Sequence, residues 1–483
     1  MKGPIALLSL ALILPPALSA QSDLPAAPGP RMATPVQTAT LTSGLALPGQ
    51  AAPSAQNTMQ NSAPGAASAQ ATNGQQQSLS LAQAEQMAIR NNPQVSVGKL
   101  LALAQHQMER EARAAELPTA TAAATAMDAE EGSRISAGSL TSSRLLQHAG
   151  AGANVTQLIY DFGHTHNLVL SQKLSAQARD ANALATTEEI VLATDQAFYD
   201  ALTAQAELDV ARQTVDARQT TDNQVGEMTR NKLKSTLDQS FADVDLSQAK
   251  LLQLDAQNNA DSSMATLDAV LGIDHPETFR LVEDTAAPAP PPPDVDGLIR
   301  TALQQRPDLQ ALNLDGQSAQ KYARAEWDQM LPSISAAGTV GTIPVRSGSY
   351  YIANWWGGVG GNVSIPIFNG FLYSSQAREA KYRAQAAAEN SRDLRDRIVR
   401  DVRTSWLQAG NNWQRMTVTA QLVKQANLAF SLAQTRYKLG LSSIVELSQA
   451  QLQQTSAQIQ DTSARYQYRL SLATLNYEMG VAP

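Results

Sequence analysis

The sequence predicts a mainly α-helical chain with a small β part, in which one structural unit occurs twice. Three observations predict this fold: an internal duplication, two stretches of nearly 70 residues without proline, and four segments that alternate in polarity. The chain of 483 residues is 43% hydrophobic but only 5% aromatic, and it contains no cysteine. Because aromatic side chains supply much of the burial in globular cores, a large enzyme core is not expected. The lack of cysteine excludes disulfide scaffolds, thiolate metal sites and cysteine nucleophiles.

An internal duplication organises the chain. Asn91-Asn92-Pro93 recurs as Gln305-Arg306-Pro307 at a shift of 214 residues, and from residue 154 onward the shift is a constant 208. The pairs at this second shift include Asn154/Asn362, Tyr160/Phe368, Phe198/Trp406, Leu233/Leu441, Asp238/Glu446 and Gly272/Gly480. The matched Gly, Pro, Asn and aromatic positions are not the common residues of an alanine-rich chain, so a tandem repeat explains them better than chance. We expect a first structural repeat at residues 78–283, a proline-rich linker at 284–296 and a second repeat at 297–483.

Each repeat contains one very long predicted helix. The first runs from about Gly163 to Arg230 and the second from about Leu372 to Leu439. At 1.5 Å per residue, each helix spans roughly 100 Å. In the second helix, spacings of four and three alternate, which is the pattern of a coiled-coil seam. The predicted seam comprises Ala409, Trp413, Met416, Ala420, Val423, Asn427, Phe430, Gln434 and Tyr437. So narrow a stripe on so long a helix requires neighbouring helices along its whole length.

Four segments alternate in polarity and are predicted as strands: residues 118–127, 150–160, 332–342 and 354–368. Their length suits tilted strands that cross a membrane. Aromatic residues lie at their ends, where a membrane-interface girdle would place them. Ordinary soluble strands with polar faces are the alternative. Since four strands are too few to close a barrel, a membrane barrel would need several chains.

The N-terminal part is expected to lie outside the repeats. Residues 1–20 have the layout of a secretory signal peptide, with one lysine, an apolar run too short to span a bilayer, and small residues before the expected cleavage. Residues 21–77 hold seven prolines and only two charged residues, Asp23 and Arg31. Such a composition cannot bury enough apolar surface to fold, so this extension is expected to be disordered.

Composition and motifs exclude several functions. The net charge is -7 and no Lys/Arg cluster stands out, which argues against nucleic-acid binding. Neither a catalytic triad nor a phosphate-binding loop appears in a supporting context, so we predict no enzyme activity and no cofactor. His164 and His166 could be read as a metal pair, but no third ligand is visible nearby, and an interfacial structural role is favoured.

These features, in this order, resemble the TolC family of outer-membrane efflux proteins. The motifs that carry the resemblance are Leu81-x-x-Ala84-x-x-x-Ala88-x-x-Asn91-Asn92-Pro93, the strand ends at 158–163 and 365–370, and the turn at 436–443 followed by Glu446 and Ala450. The resemblance covers about residues 78–481. It implies a homotrimer in the cell outer membrane. Long coiled-coil helices would form a trimeric α-barrel in the periplasm, continued by a twelve-stranded transmembrane β-barrel to which each chain gives four strands.

The family resemblance also implies partners and a function. Such a channel contacts outer-membrane lipid and docks on a periplasmic adaptor (membrane fusion) protein and an inner-membrane pump. It provides the exit duct of a tripartite efflux or type I secretion system. Transport through it is passive and is gated at the periplasmic helix turns, which here are residues 232–236 and 440–444 and are called the tip below.

The resemblance assigns roles to residues of the tip. Glu446 matches an acidic position that faces the pore, where three copies would form a carboxylate ring. The next acidic position of the family is Gln449 here, so the ring is reduced. Asp238 and Tyr437 match positions that hold the closed tip by an interhelical hydrogen bond. Ser442 replaces a basic partner found in some members, so that part of the contact is either missing or supplied by Arg436 or Lys438. The expected adaptor contacts are Lys232, Leu233, Gly440 and Leu441.

Plainer roles stay open for the same residues. Glu446 is also compatible with a solvated helix face, Asp238 with an N-cap acid, Tyr437 with a seam aromatic and Gly440 with a helix C-cap. For the whole chain, the alternative function is a structural or adhesive coiled-coil protein of the cell surface, which would not require the four strands or the duplication. A secreted hydrolase is the third possibility, and it lacks a recognisable site.

Overall fold

The structure is a computed structural model that describes residues 77–128, 136–137, 140–141, 147–273, 279–283, 288–342, 346–347, 350–351 and 355–481. The predicted signal peptide and nearly all of the predicted N-terminal extension lie outside these residues. The predicted linker is described from residue 288 onward.

The first repeat contains two pairs of helices and the first half of the main sheet. Its elements are β1 (Gln77–Leu79), α1 (Leu81–Asn91), α2 (Pro93–Ala114), β2 (Thr119–Asp128), β3 (Ser136–Ala137), β4 (Leu140–Thr141), β5 (Gln147–Tyr160), α3 (His164–Arg230), α4 (Thr236–Leu271) and β6 (Phe279–Leu281).

The second repeat has the same order of helices and long strands. Its elements are α5 (Val295–Gln305), α6 (Pro307–Asp328), β7 (Ser333–Thr342), β8 (Arg346–Ser347), β9 (Tyr350–Tyr351), β10 (Trp355–Ser364), α7 (Leu372–Lys438) and α8 (Ile444–Glu478). The two long helices, α3 and α7, have 67 residues each. Their predicted bounds are confirmed to within one residue.

Prolines and left-handed residues set the helix limits. Pro93 and Pro307 stand at the first position of α2 and α6, where the missing N–H costs nothing. The chain enters α3 and α7 through residues with positive φ, namely Phe162 and Gly163 before α3, and Gly370 and Phe371 before α7. These residues turn the chain sharply from strand into helix, so each long helix begins directly below the sheet.

Four helices lie side by side in a single row at each level of the molecule, and two of the four differ between the part near the sheet and the part far from it. Near the sheet, α3 packs between α2 and α6, and α6 packs on α7; farther away, α3 packs between α4 and α8, and α8 packs on α7. The orders are therefore α2–α3–α6–α7 and α4–α3–α8–α7. In both orders α7 lies at one end, and α2 or α4 lies at the other.

The buried face of α7 corrects the predicted coiled-coil seam. Ala409 and Tyr437 are buried as predicted, but Ala420 and Asn427 are exposed. The buried positions between these ends are Asn412, Thr419, Ala426 and Ala433. Their side chains are small or bonded to α8: the Asn412 amide donates to the Gln467 carbonyl at 3.3 Å, and the Thr419 hydroxyl bonds Asp461 at 3.2 Å. Small side chains, and polar side chains that bond α8, let the two helices approach closely. Because the seam was predicted from apolar spacing, about half of its predicted positions lie one residue after the buried ones.

The main sheet is antiparallel and has the order β10–β7–β5–β2. It contains the four predicted strands, but the last one ends at Ser364 rather than at Phe368. Pro366 follows two residues later and has no N–H to donate to a neighbouring strand. Both outer strands, β10 and β2, have one edge without a partner within the described part of the chain.

The two repeats are closed by equivalent contacts. In the first, the Asn92 amide donates to the Val270 carbonyl at 2.9 Å, and Gly272 ends α4 with φ +70°. In the second, the Arg306 guanidinium pairs with Glu478 near the end of α8, and Gly480 follows with φ +68°. The start of the second helix in each repeat is thereby fixed to the end of its last helix.

The proline-rich linker lies against the second repeat. The Trp406 indole N–H donates to the Pro292 carbonyl at 2.6 Å, and the Tyr468 hydroxyl donates to the Ala289 carbonyl. These two bonds hold the described part of the linker across α7 and α8.

Candidate functional site: a two-faced sheet and a helical tip

The strand register gives the sheet two chemically different faces, because directly opposed residues point to the same side. One face is mainly apolar; besides glycines and the polar Gln157 and Thr342, it carries Ala120, Ala122, Ala124, Ala151, Ala153, Val155, Ile334, Ala336, Val340, Trp355, Val359 and Val363. The other is mostly small and polar; besides glycines and the apolar Ala123, Leu158, Ala337 and Trp356, it carries Thr119, Thr121, Asn154, Thr156, Ser333, Ser335, Thr339, Asn362 and Ser364. None of the described side chains on these four strands is charged. Val359 is 91% exposed and Trp355 is 71% exposed, so the apolar face has no cover within the chain.

Within the described ranges, no helix has a stretch that is both long and apolar enough to cross a membrane.

The two turns of the tip share one backbone geometry. The Leu233 N–H donates to the Met228 carbonyl at 2.8 Å, and the Leu441 N–H donates to the Arg436 carbonyl at 2.8 Å. Each bond ends a helix, and the residue just before the donor has left-handed backbone: Lys232 at φ +60° in one turn and Gly440 at φ +73° in the other. Leu233 and Leu441 project outward and are 73% and 67% exposed. The predicted adaptor contacts are therefore accessible, and the two turns differ mainly in that one places lysine where glycine is favoured.

Tyr437 lies in the apolar cluster that closes the tip. It is buried with Val225, Ile444 and Leu447, and its hydroxyl has no hydrogen-bond partner among the described residues. The Lys234 ammonium lies 4.3 Å from the ring centroid. Burial, followed by the nearby Asp238 carboxylate, raises the pKa of Tyr437. The phenol is therefore neutral at physiological pH and is a free donor within one chain.

Asp238 and Glu446 occupy equivalent positions, each in the first turn of a helix. The Ser235 hydroxyl caps α4 by accepting from the Asp238 N–H at 3.1 Å, and Asp238 accepts from the Ser235 N–H at 3.2 Å. Glu446 is different because its carboxylate lies 3.5 Å from the Arg436 guanidinium at the end of α7. The plain capping role of Asp238 is thus present. Glu446 has a basic neighbour, Arg436, which is one of the two residues expected to supply a basic group at the tip.

Ser442 and Gln449 complete the predicted group. The Ser442 hydroxyl is buried without a partner among the described residues. Gln449 lines an open groove between α7 and α8, together with Leu422, Gln425 and Leu452. The structure brings Asp238 close to Tyr437 and Glu446 close to Arg436.

His164 lies where β5 passes into α3. Its Nδ1 atom is 2.9 Å from the Ala325 carbonyl on α6, and the adjacent Asn167 amide donates to the buried Asp328 at 2.7 Å. These bonds tie the start of α3 in the first repeat to the end of α6 in the second. In the described part of the chain, no group of three His, Asp or Glu side chains could hold a metal ion.

Comparisons with known proteins define the class of this fold. Residues 298–481 match the family described as outer membrane efflux protein. The structure is similar to the CmeC outer membrane channel of Campylobacter jejuni, with a TM-score of 0.73 and 16% identity over 83% of this chain and 85% of that one. It is also similar to the outer membrane protein VceC of Vibrio cholerae, with a TM-score of 0.69 and 18% identity over 83% of this chain and 96% of that one. The fold is that of an outer-membrane efflux channel.

The sequence itself is similar to outer membrane protein TolC of Escherichia coli (strain K12), with 23% identity over 68% of this chain and 69% of that protein. Residues 298–481 thus match the outer membrane efflux protein family, and the chain as a whole is similar to TolC-type channels in sequence and fold. Its location is the outer membrane, with the helices in the periplasm. This is a family of channels and not of enzymes.

Proposed function

We propose that three copies of this chain form a closed outer-membrane duct, which is the exit of a tripartite efflux or type I secretion system. Transport through it is passive and involves no catalytic step. The sheets of three copies would close into a twelve-stranded barrel, and the helices would continue it as a tunnel of twelve.

One observation carries this proposal: the sheet and the helical row are both open at two opposite ends. Exposed apolar side chains line the outer helices at these ends. On α4 they are Leu237, Phe241, Val244, Leu251 and Leu254, and on the half of α7 nearer the tip they include Val418, Leu422, Leu428 and Leu432. Within each set the spacings keep the residues on one helix face. A ring of copies covers both sets at once, since α4 of one copy meets α7 of the next.

The sheet supports the same arrangement. In a closed ring, the uncovered apolar face contacts lipid and the face of Thr, Ser and Asn contacts water. The described side chains on this face are uncharged, and all but Trp356 and Leu158 are small, so this part of the duct has no preference for either sign of charge. The alternative, an adhesive coiled-coil surface protein, would have no use for a sheet with one lipid-compatible face.

The tip supplies the gate in this proposal. Three Glu446 carboxylates surround the threefold axis, each beside an Arg436 that offsets its charge, with Gln449 one turn farther in. Tyr437 closes the apolar cluster beside Asp238. Its hydroxyl and that of Ser442 are buried within one chain, so they act inside the tip and not on a neighbouring copy. The exposed Lys232, Leu233, Gly440 and Leu441 meet the adaptor, and the inner-membrane pump acts through that adaptor.

Single-channel recording in planar bilayers tests the duct and its gate. Wild-type protein should insert and conduct poorly, because the tip is closed. Tyr437→Ala removes a buried ring from the closing cluster, so its conductance should rise several-fold. Tyr382→Ala is a matched control, since that ring is exposed on α7 far from the tip, and it should conduct as wild type does. If the Tyr437→Ala variant inserts into the bilayer and still carries no current, the protein is not a duct.

A further inference from the structure

A buried arginine lies in the helical row above the tip. Arg218 on α3 is only 7% exposed, and it follows Ala211 and precedes Val225 by one heptad each, both of which are fully buried. The core positions of a seam are normally apolar, because a buried charge is costly unless it is paired. A charged residue at this position therefore calls for a specific set of partners.

Arg218 reaches two different helices. One guanidinium nitrogen donates to the Asp245 carboxylate on α4 at 2.7 Å. Another donates to the Ser448 carbonyl on α8 at 3.4 Å. The first bond lies within the hairpin of α3 and α4. The second crosses to the hairpin of α7 and α8, whose first turn carries Glu446.

The contacts on either side of Arg218 are also polar. The Thr214 and Thr455 hydroxyls lie 3.3 Å apart, and the Gln451 amide donates to the Thr221 hydroxyl at 3.4 Å. Gln451 is 4% exposed, yet its side-chain oxygen has no partner among the described residues. A cavity of about 170 Å³ adjoins these groups and is lined by Arg218, Gln454, Gln458 and Phe430. The joint between the hairpins is thus held here by long polar bonds beside open space.

We propose that Arg218 is a latch that holds α8 against α3 while the tip is closed and releases α8 when it opens. This inference rests on the proposed function, because it deepens its gating step. The short bond to Asp245 keeps the guanidinium paired in both states, so the bond to α8 breaks without leaving a buried charge alone. The polar groups around the cavity can exchange their bonds across the joint for bonds to water.

Conservative and non-conservative substitutions distinguish a contact that controls opening from one that only stabilises the fold. Arg218→Lys keeps a positive charge beside Asp245. The lysine side chain lacks the forked guanidinium, so it cannot bond Asp245 on α4 and the Ser448 carbonyl on α8 at the same time. The variant's ratio of open to closed dwell times in planar bilayers should rise about tenfold, the equivalent of about 1.4 kcal/mol, with trimer heat stability unchanged. Arg218→Met removes both bonds and leaves Asp245 unpaired, so this variant should open more often and also lose heat stability. Arg212→Lys is the control, since Arg212 on the same helix is exposed, and its contacts with Gln257 at 3.1 Å and Asp209 at 3.6 Å do not include α8.

The possible outcomes are distinct. If the Arg218→Lys variant has the dwell-time ratio of wild type while the Tyr437→Ala variant conducts more, the latch is wrong and the proposed duct stands. An effect of Arg212→Lys as large as that of Arg218→Lys would also overturn it, because the response would then not depend on burial. If Tyr437→Ala and every Arg218 variant carried no current, the proposed duct and the latch would fail together.

Discussion

Replacing Gly272 by alanine is expected to destabilise the protein by about 2–3 kcal/mol per chain and to deplete the assembled form. Gly272 has φ +70°, and a Cβ atom there would lie 2.9 Å from the backbone carbon and oxygen of Asn91. The left-handed conformation alone costs an L-residue roughly 1–2 kcal/mol, and the clash with backbone cannot be relieved by rotating a side chain. Gly480→Ala should behave in the same way, because its Cβ would lie 2.9 Å from the Arg306 nitrogen.

Gly410→Ala is the matched control. Gly410 lies within α7, and a Cβ atom there would meet nothing within 4 Å. Alanine is favoured over glycine in a helix by roughly 0.5–1 kcal/mol, so this variant should be as stable as wild type or slightly more so. The temperature at which assembled protein dissociates in detergent gels measures all three variants. Equal loss in Gly272→Ala and Gly410→Ala would refute the close contact between the two ends of the repeat.

Val359→Arg is expected to prevent stable insertion into the outer membrane. Val359 lies on the apolar face of the sheet and is 91% exposed. Arginine on the lipid face of a membrane strand costs about 2–4 kcal/mol near the midplane, and a trimer would carry this cost three times. The amount of folded protein in the outer-membrane fraction should therefore drop to a small part of the wild-type level.

Asn362→Arg provides the comparison on the same strand. Asn362 is opposite Ser335 and lies on the polar face, where an arginine would contact water. This variant should reach the membrane in normal amounts. If the two arginines had the same effect on the membrane fraction, the assignment of the two faces would be wrong.

Much of the fold follows from the sequence because its strongest signals are local. Proline-free helical segments gave the bounds of α3 and α7, and Pro93, Pro307 and the glycine pairs mark the same breaks in both repeats. The predictions were wrong where packing between elements, and not the local sequence, determines which residues are buried. Asn412 and Thr419 are buried because they bond α8, which no count of apolar residues can foresee. The end of β10 at Ser364 reflects Pro366, whose effect a polarity pattern overlooks.

The candidate site was predictable only in part. Matching the two repeats placed Glu446, Asp238 and both tip turns in equivalent positions. The Arg436 neighbour of Glu446 depends on how the end of α7 faces the start of α8, which spacing does not specify. Arg218 left one signal, a charge at a heptad position between Ala211 and Val225, but its partners Asp245 and Ser448 come from two helices brought together by the fold.

The mass of the folded protein in detergent tests the central claim most directly. Three copies are required to close the sheet and the helical row, so light scattering or native mass spectrometry corrected for detergent should give three chains per particle at all working concentrations. Changing Leu251 and Leu254 on α4 to aspartate should reduce this particle to single chains, because both residues lie on the apolar stripe that a neighbouring copy covers. A wild-type protein that is folded and stable as a single chain would contradict the account.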